Sequence, residues 1–260
     1  MHEITIVIPV FNQAYLTERC LNSLLENSKY TNELIVINNN SSDNTSEVLK
    51  NFEIQFSRHS WKMSVITNQG NVGFGRAINQ GVKACNKKYV AILNNDIWLM
   101  PKWDQVLLTR LTELGADMIG PYYDETPFDP IETPKEAQTF IERNAGKCNK
   151  NWVSILMFFK RELFHSIGEF DERFFVTYED TDFRERMDRA GKKYFQVGDC
   201  YIWHLSKGTR NTQNLPTNYE QEGLRLFIDK WKFDPRIREQ GFDARLKRRW
   251  SKIKNKMGYF

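Results

Sequence analysis

The chain has 260 residues, 40% of them hydrophobic, 13% aromatic and 27% charged, with a formal net charge of +4. Apolar content at this level supplies one large core, so the composition excludes a disordered chain and favours one elaborated domain over two independent ones. Its longest apolar runs, Ile4 to Val10 and Ser154 to Phe159, are strand-sized and far short of a membrane span.

Two further bulk features set expectations. The first residues show no basic segment followed by an apolar one, so no secretory signal is expected and a cytoplasmic location is. Cys20, Cys85, Cys148 and Cys200 lie far apart with no CxxC pair, which reads as buried free thiols rather than zinc ligands.

In chain order, Ile4-Thr5-Ile6-Val7-Ile8 reads as a buried strand ended by Pro9. Leu16, Cys20, Leu21, Leu24 and Leu25 recur at helical spacing and predict an amphipathic helix over roughly 13–27. Leu34 to Ile37 is a second strand, running into Asn38-Asn39-Asn40-Ser41-Ser42-Asp43, where Ser42 or Asp43 can cap a helix through Lys50. A third strand near Ser64 to Thr67 leads through a Gly-rich turn into a helix from about Gly75 to Cys85, and Tyr89 to Leu93 is the fourth strand. Strands alternating with helices predict an α/β fold with a mostly parallel, Rossmann-like sheet, whose ligands sit beyond the carboxyl ends of the strands.

From Pro121 to Lys150 the chain is rich in Pro, Asp, Glu and Thr and reads as a long, partly irregular connection. Ser154 to Phe159 resumes as a strand, with a short helix near 161–167 and the aromatic turn Gly168 to Phe175 behind it. A helix over about Asp180 to Ala190 closes at Gly191, and Tyr194 to Val197 is a further strand.

Four groups of residues carry chemistry. Leu93-Asn94-Asn95-Asp96 ends the fourth strand; a carboxylate there either caps a turn or holds a hard divalent cation bridging two phosphates. Tyr178-Glu179-Asp180-Thr181-Asp182 opens a helix; its acids either match the helix N-terminus or, crowded together, give one carboxylate a raised pKa suited to general-base work. Trp203-His204 follows a strand and precedes a polar segment, which suits a structural His or a ligand at the mouth of a site. Finally, Asn68-Gln69-Gly70-Asn71-Val72-Gly73 permits close backbone approach, yet it is not GxGxxG and follows the third strand, so it fits a dinucleotide fingerprint poorly.

As a set, in order and spacing, these segments resemble glycosyltransferase family 2, and most of all its rhamnosyltransferase-like members. The motifs are Ile-Val-Ile-Pro-Val-Phe-Asn, Asn-Asn-x-Ser-x-Asp-x-Thr, NxGxxGxxxAxNxG from Asn68 through Gly81, the triplet ending at Asp96, Gly-x-Phe-Asp-Glu-x-Phe, Tyr-Glu-Asp-x-Asp and the late His204. The resemblance covers roughly residues 3–210 and implies a GT-A fold and an inverting, metal-dependent transfer from a nucleotide-diphosphate sugar to an acceptor hydroxyl. A dTDP-rhamnose or UDP-hexose donor and a carbohydrate or lipid-linked glycan acceptor, in bacterial surface glycan assembly, are what it suggests.

Residue by residue, the resemblance assigns the nucleotide sugar to Pro9, Phe11, Asn12, Asn38, Asn39, Asn68, Gly70, Gly73, Asn79, Asn94 and Asn95. Asn38 stands where the family usually has an acid, and its amide can still pair with a base edge. In the DXD motif the last Asp is Asp96 and the first position is Asn94, which leaves one carboxylate and brings in His204 as a second metal ligand for Mn²⁺ or Mg²⁺. Asp180 is implied as the general base, with Glu179 and Asp182 orienting base or acceptor. Phe175, Tyr178 and Trp203 offer apolar faces to a sugar ring.

Between Arg236 and Lys256 nine Lys or Arg face only Glu239 and Asp243, a local charge of +7, so the rest of the chain carries about −3. Phe242, Leu246, Trp250, Ile253 and Met257 recur at steps of four, four, three and four. Residues 216–260 therefore read as a basic amphipathic helical extension to a 1–215 domain, whose donor half ends near 120. It either docks on the domain or attaches to an anionic membrane surface; nucleic acid is not an expected partner, since no recognised module accompanies the charge. A nucleotidyltransferase is the rival enzyme class, but Phe11-Asn12-Gln13-Ala14 is neither Gly-rich nor basic. A non-catalytic nucleotide-sugar-binding protein is the other alternative.

Overall fold

The computed structural model describes residues 4–124, 134–204 and 218–237. Its first half alternates as expected: β1 (Ile4–Val10), α1 (Ala14–Asn27), β2 (Glu33–Asn38), α2 (Thr45–Arg58), β3 (Lys62–Thr67), α3 (Phe74–Ala84) and β4 (Tyr89–Leu93). The second half contains β5 (Ile97–Leu99), α4 (Trp103–Glu113), β6 (Met118–Asp124), α5 (Pro134–Asn144), β7 (Cys148–Asn149) and β8 (Leu156–Lys160). It continues with α6 (Arg161–Ile167), α7 (Glu179–Arg189), β9 (Tyr194–His204) and α8 (Tyr219–Trp231).

The nine strands of the described residues join one sheet in the order β3-β2-β1-β4-β8-β6-β9-β5, with β7 paired to β9. The β3-β2-β1-β4 block is parallel throughout. Beyond it β8 runs antiparallel to both β4 and β6, while β6 and β9 are parallel. The sheet is thus mixed, with the expected parallel character confined mainly to its first half. Ile4 through Val10 and Glu33 through Asn38 are buried on both faces, because helices cover the sheet on either side. One core lies under α1, α2 and α4, with Cys20, Leu21, Phe52, Phe56, Trp103 and Leu107; the other, with Ile78, Val82, Phe164, Phe170, Phe183 and Met187, lies under α3, α6 and α7.

Several expectations are corrected. The connection from Pro121 to Lys150 is less irregular than its composition suggests: it holds the end of β6, then α5 and β7. Phe140 and Ile141 of α5 pack against Tyr201 and Trp203, so burial on β9 outweighs a polar sequence. The helix expected to stop at Lys50 continues to Arg58, since Phe52 and Phe56 extend its buried stripe. The strand expected over Tyr194 to Val197 runs on to His204. Cys20, Cys85 and Cys200 are buried free thiols, as expected, and Cys148 is half-buried. The Phe242–Met257 stripe lies outside the described residues.

Candidate active site

Strand order reverses between β1 and β4, since β2 and β3 lie to one side of β1 and β4 to the other; this is the switch point where sheets of this kind bind ligands. Pairing of β1 with β4 ends at Val7–Ile92, whereas pairing with β2 runs on through Pro9–Ile37 to Val10–Asn38. Pro9, which has no N–H to donate, therefore sits where β1 has already parted from β4. Their carboxyl ends diverge, the place where a sheet of this kind is expected to form its ligand crevice.

The amide-rich segments follow the carboxyl ends of these strands and are tied mainly to one another. Asn12 and Gln13 take left-handed φ values of 55° and 61°, turning the chain from β1 into α1. The Asn12 N–H donates to Ser41 Oγ at 2.9 Å and its Oδ1 accepts the Ser42 N–H at 2.8 Å. Asp43 accepts N–H groups from both Ala14 and Thr45, at 3.0 and 3.1 Å, so one carboxylate joins the starts of α1 and α2. Burial opposes its ionisation, but the hydrogen bonds from Thr45 and Ala14 prevail and hold it below the ordinary carboxylate range.

Asn38 is buried, with Oδ1 accepting the Ser41 N–H at 2.9 Å and Nδ2 donating to Ser46 Oγ at 3.3 Å. Its amide shapes the β2–α2 loop rather than standing open to a base. Asn39 donates to the Gly73 carbonyl oxygen and accepts from Asn68, which exchanges two hydrogen bonds with Gln80. Asn79 is buried in α3 and clamps Phe170, donating to its carbonyl oxygen at 2.9 Å and accepting its N–H at 3.0 Å. Phe11 is half-buried at the crevice, and a Cβ added at Gly70 would meet nothing within 4 Å.

At the end of β4, the Asn94 N–H donates to the Ile155 carbonyl oxygen, and Asn95 is buried with Nδ2 donating to Thr17 Oγ1 at 2.9 Å. These contacts fix the backbone on either side of the turn, and Asp96 follows at the start of β5. Antiparallel pairing sets Ile97 opposite His204, which delivers the imidazole to Asp96. His204 Nε2 lies 3.4 Å from Asp96 Oδ1, with the two side chains 11% and 6% exposed. No hydrogen-bond donor among the described residues reaches the buried Asp96 Oδ1. An unsatisfied buried carboxylate oxygen beside an imidazole nitrogen is a donor pair suited to a divalent cation. Among the described residues no third His, Cys, Asp or Glu completes a metal group, so oxygens of substrate or water would fill the remaining positions. Cys20 lies close by, its Sγ 3.7 Å from the Asn94 carbonyl oxygen; burial, with the nearby Asp96 charge, pushes the thiol up to about 12. Trp203 is mostly buried, with the Arg19 guanidinium 5.4 Å above its ring.

The acid segment is held on the other layer. Gly73 has φ 86°, and a Cβ there would run into the Phe175 carbonyl oxygen, which accepts the Phe74 N–H at 3.0 Å. The β3–α3 loop and the aromatic turn are thereby locked together, leaving the Phe175 ring 38% exposed. Glu179 is buried against α3, its Cβ lying 3.6 Å from where a Cβ of Gly75 would stand. Asp182 is fully buried: Oδ1 accepts from Lys230 Nζ at 2.6 Å and Trp231 Nε1 at 2.9 Å, and Oδ2 from Arg186 Nε at 3.0 Å. It is an interior ion-pair hub that ties α7 to α8. Asp180 alone of the three is half-exposed, with Oδ1 accepting the Thr181 N–H at 2.7 Å.

Sequence reading missed Lys230 and Trp231 as partners of this segment. The signal available was the Leu224, Phe227, Ile228 and Trp231 spacing of an amphipathic helix.

Comparison with known proteins gives the family and the fold. The family model described as Glycosyl transferase family 2 covers residues 5–172. Glycosyltransferase GlyA of Streptococcus pneumoniae serotype 4 is 29% identical over 122 residues, 46% of this chain and 17% of that protein. Glycosyltransferase GlyG of the same organism is 24% identical over 244 residues, 87% of this chain and 79% of its own length. The mannosyltransferase PcManGT from Pyrobaculum calidifontis, solved in complex with GDP-Man and Mn²⁺, superposes with a TM-score of 0.61 at 18% identity, over 80% of this chain and 59% of that one. That likeness shows a shared GT-A-like fold. The chain thus spans under a fifth of GlyA and less than two thirds of PcManGT.

Proposed function

Because this chain belongs to glycosyl transferase family 2, we propose that it moves a sugar from a nucleoside-diphosphate sugar to an acceptor hydroxyl, with inversion at the anomeric carbon. The observation that carries this reading is the Asp96–His204 pair, buried and 3.4 Å apart beside a switch-point crevice. The GDP-Man and Mn²⁺ bound to PcManGT support a donor and a cation of the same classes here.

Asp96 and His204 would hold the cation, and the imidazole would tilt the preference toward Mn²⁺ over Mg²⁺. When bound, such a cation neutralises charge developing on the departing diphosphate. Asp180 accepts the proton of the acceptor hydroxyl as that oxygen bonds to the anomeric carbon. The bond from that carbon to the diphosphate oxygen breaks on the opposite face, and its electron pair leaves with the nucleoside diphosphate. Phe175, exposed in the turn before α7, would offer an aromatic face to the acceptor, a carbohydrate or lipid-linked glycan. The donor is a hexose or deoxyhexose nucleotide, with dTDP-rhamnose and UDP-hexoses the first to test. Peripheral attachment of the basic 236–256 segment to the cytoplasmic face of a membrane would bring the site to a lipid-linked acceptor.

The test is a panel of UDP-, GDP- and dTDP-sugars assayed for nucleoside diphosphate release with Mn²⁺, with Mg²⁺ and with chelator. Release should require metal, with Mn²⁺ at least as effective as Mg²⁺. Asp96→Ala should weaken nucleoside diphosphate binding more in the presence of metal than in its absence. Full activity in chelator by a folded protein contradicts the reading, and pyrophosphate as the product would mark a nucleotidyltransferase.

A further inference from the structure

We propose that α8 sets the position of Asp180, with Gly223 and Lys230 as positioning residues that act on the acid from both sides of it. The inference rests on Asp180 being the general base.

One helix grips the segment two or three residues before Asp180 and again two residues after it. Upstream, Thr177 Oγ1 donates to the Tyr219 carbonyl oxygen at 3.5 Å, and the Tyr178 ring packs 6.1 Å from that of Phe227. The approach is close because Gly223 has no side chain: a Cβ there would stand 2.5 Å from Thr177 Oγ1 and 3.0 Å from Tyr178 Cδ2. Downstream, Lys230 Nζ and Trp231 Nε1 both donate to Asp182 Oδ1, at 2.6 and 2.9 Å. Lys230 also reaches Asp171 Oδ2 at 2.8 Å, so the same ammonium ties α7 to the aromatic turn.

Tyr178 gives this bracket a mechanical purpose. It has φ 67°, a conformation that a bulky residue adopts only when its surroundings enforce it. The residue precedes the first turn of α7, so its backbone angles set where that turn, and the Asp180 carboxylate on it, points. Phe227, the bare backbone at Gly223 and the buried Asp182 ion pairs supply the enforcement. The turn on the other side leads through Phe175 to the β3–α3 loop, so α8 fixes the acid and the crevice wall in one frame.

Gly223→Ala separates positioning from folding. Alanine favours the helix over glycine, while its methyl pushes on Thr177 and Tyr178, so the full-length variant should melt near the wild-type temperature. Its kcat for nucleoside diphosphate release should fall by about 10- to 100-fold, the cost of a small misplacement of a reacting group. Binding of UDP, GDP or dTDP with Mn²⁺ and the KM for donor should stay within about twofold. Lys230→Met should also lower kcat more than it raises KM, and Lys230→Arg should recover much of the rate. On an Asp180→Asn background Gly223→Ala should cost no further rate, because residues acting as a unit are not additive. An undiminished kcat in folded Gly223→Ala, or a full additional loss on the Asp180→Asn background, overturns the inference. If Lys230→Met melts below the assay temperature, the Gly223→Ala results decide alone. Normal turnover by Asp180→Asn would instead remove the base assignment itself, whatever α8 does.

Discussion

Asp180 and Asp182 stand two residues apart in the first turn of α7, and at 3.6 residues per turn their side chains point roughly 200° apart. One reaches the half-exposed side and the other the interior, where Lys230, Trp231 and Arg186 saturate it. Asp180→Asn should therefore lower turnover by about 10²–10⁴ with little change in nucleoside diphosphate binding. Asp182→Ala should instead cost about 3–5 kcal/mol in a urea melt, since it strands buried cationic partners. An unchanged urea midpoint in Asp182→Ala would contradict the interior role. Asp171 adds a pH dependence. Hydrogen bonds from Arg173, opposed by burial and reinforced by Lys230, hold its carboxyl well below its ordinary value. A depressed folded value stabilises the protein in full above about pH 5 and loses that contribution as pH falls below about 4. Asp171→Asn should consequently be less stable at neutral pH and lose less melting temperature on acidification. The spacing of the acids was legible in the sequence, but not their division of labour, because partners on α8 lie some fifty residues further along the chain.

Among the elements, α4 shows how a helix absent from the sequence expectations can support the site. Asp104 is fully buried near its start and accepts the N–H groups of Lys29, Tyr30 and Thr31 at 2.7–3.1 Å, along with that of Gln105. Asn27, at the end of α1, donates to the Leu99 carbonyl oxygen of β5 at 2.9 Å and accepts the Lys102 N–H. These bonds lash α1 to the β5–α4 corner, and β5 is the strand whose pairing brings His204 to Asp96. Asp104→Ala leaves at least three backbone donors without this acceptor and should cost about 3 kcal/mol. A urea titration would measure it, and an unchanged midpoint would mean that solvent replaces the carboxylate. The helical spacing of Trp103, Leu107 and Leu111 was present in the sequence; the use of Asp104 as an acceptor for a distant loop was not, because the acceptor and its donors meet only after α1 packs on β5.

At the scale of the whole molecule, a parallel block carrying the amide-rich loops is joined through β8 to a mixed half carrying α7 and β9. No helix of the described residues is long and apolar enough to cross a membrane. The proposed surface attachment through the +7 segment would rest on charge and one apolar stripe, both read from sequence. The full-length protein should sediment with vesicles containing anionic lipid at low salt and be released as salt rises, because the attraction is screened. Deletion after Arg236 should abolish sedimentation and leave donor turnover largely intact. Indifference of the intact protein to such vesicles at low salt would leave the segment to pack on protein instead.

By itself the sequence determined the alternation of β1 to β4 with α1 to α3, since continuous apolar runs and 3.6-residue periodicity are local properties of the chain. It also placed the polar clusters at strand ends, because those runs stop at Pro9, Asn38, Thr67 and Asn94. Tertiary structure alone decided that β8 enters antiparallel and that β5 pairs with β9, bringing Asp96 and His204 together. It also decided that Asn38, Asn79 and Asp182 turn inward to bind the protein itself. A buried polar group takes whichever partner packing supplies, and partners separated by fifty or a hundred residues leave no periodic trace between them.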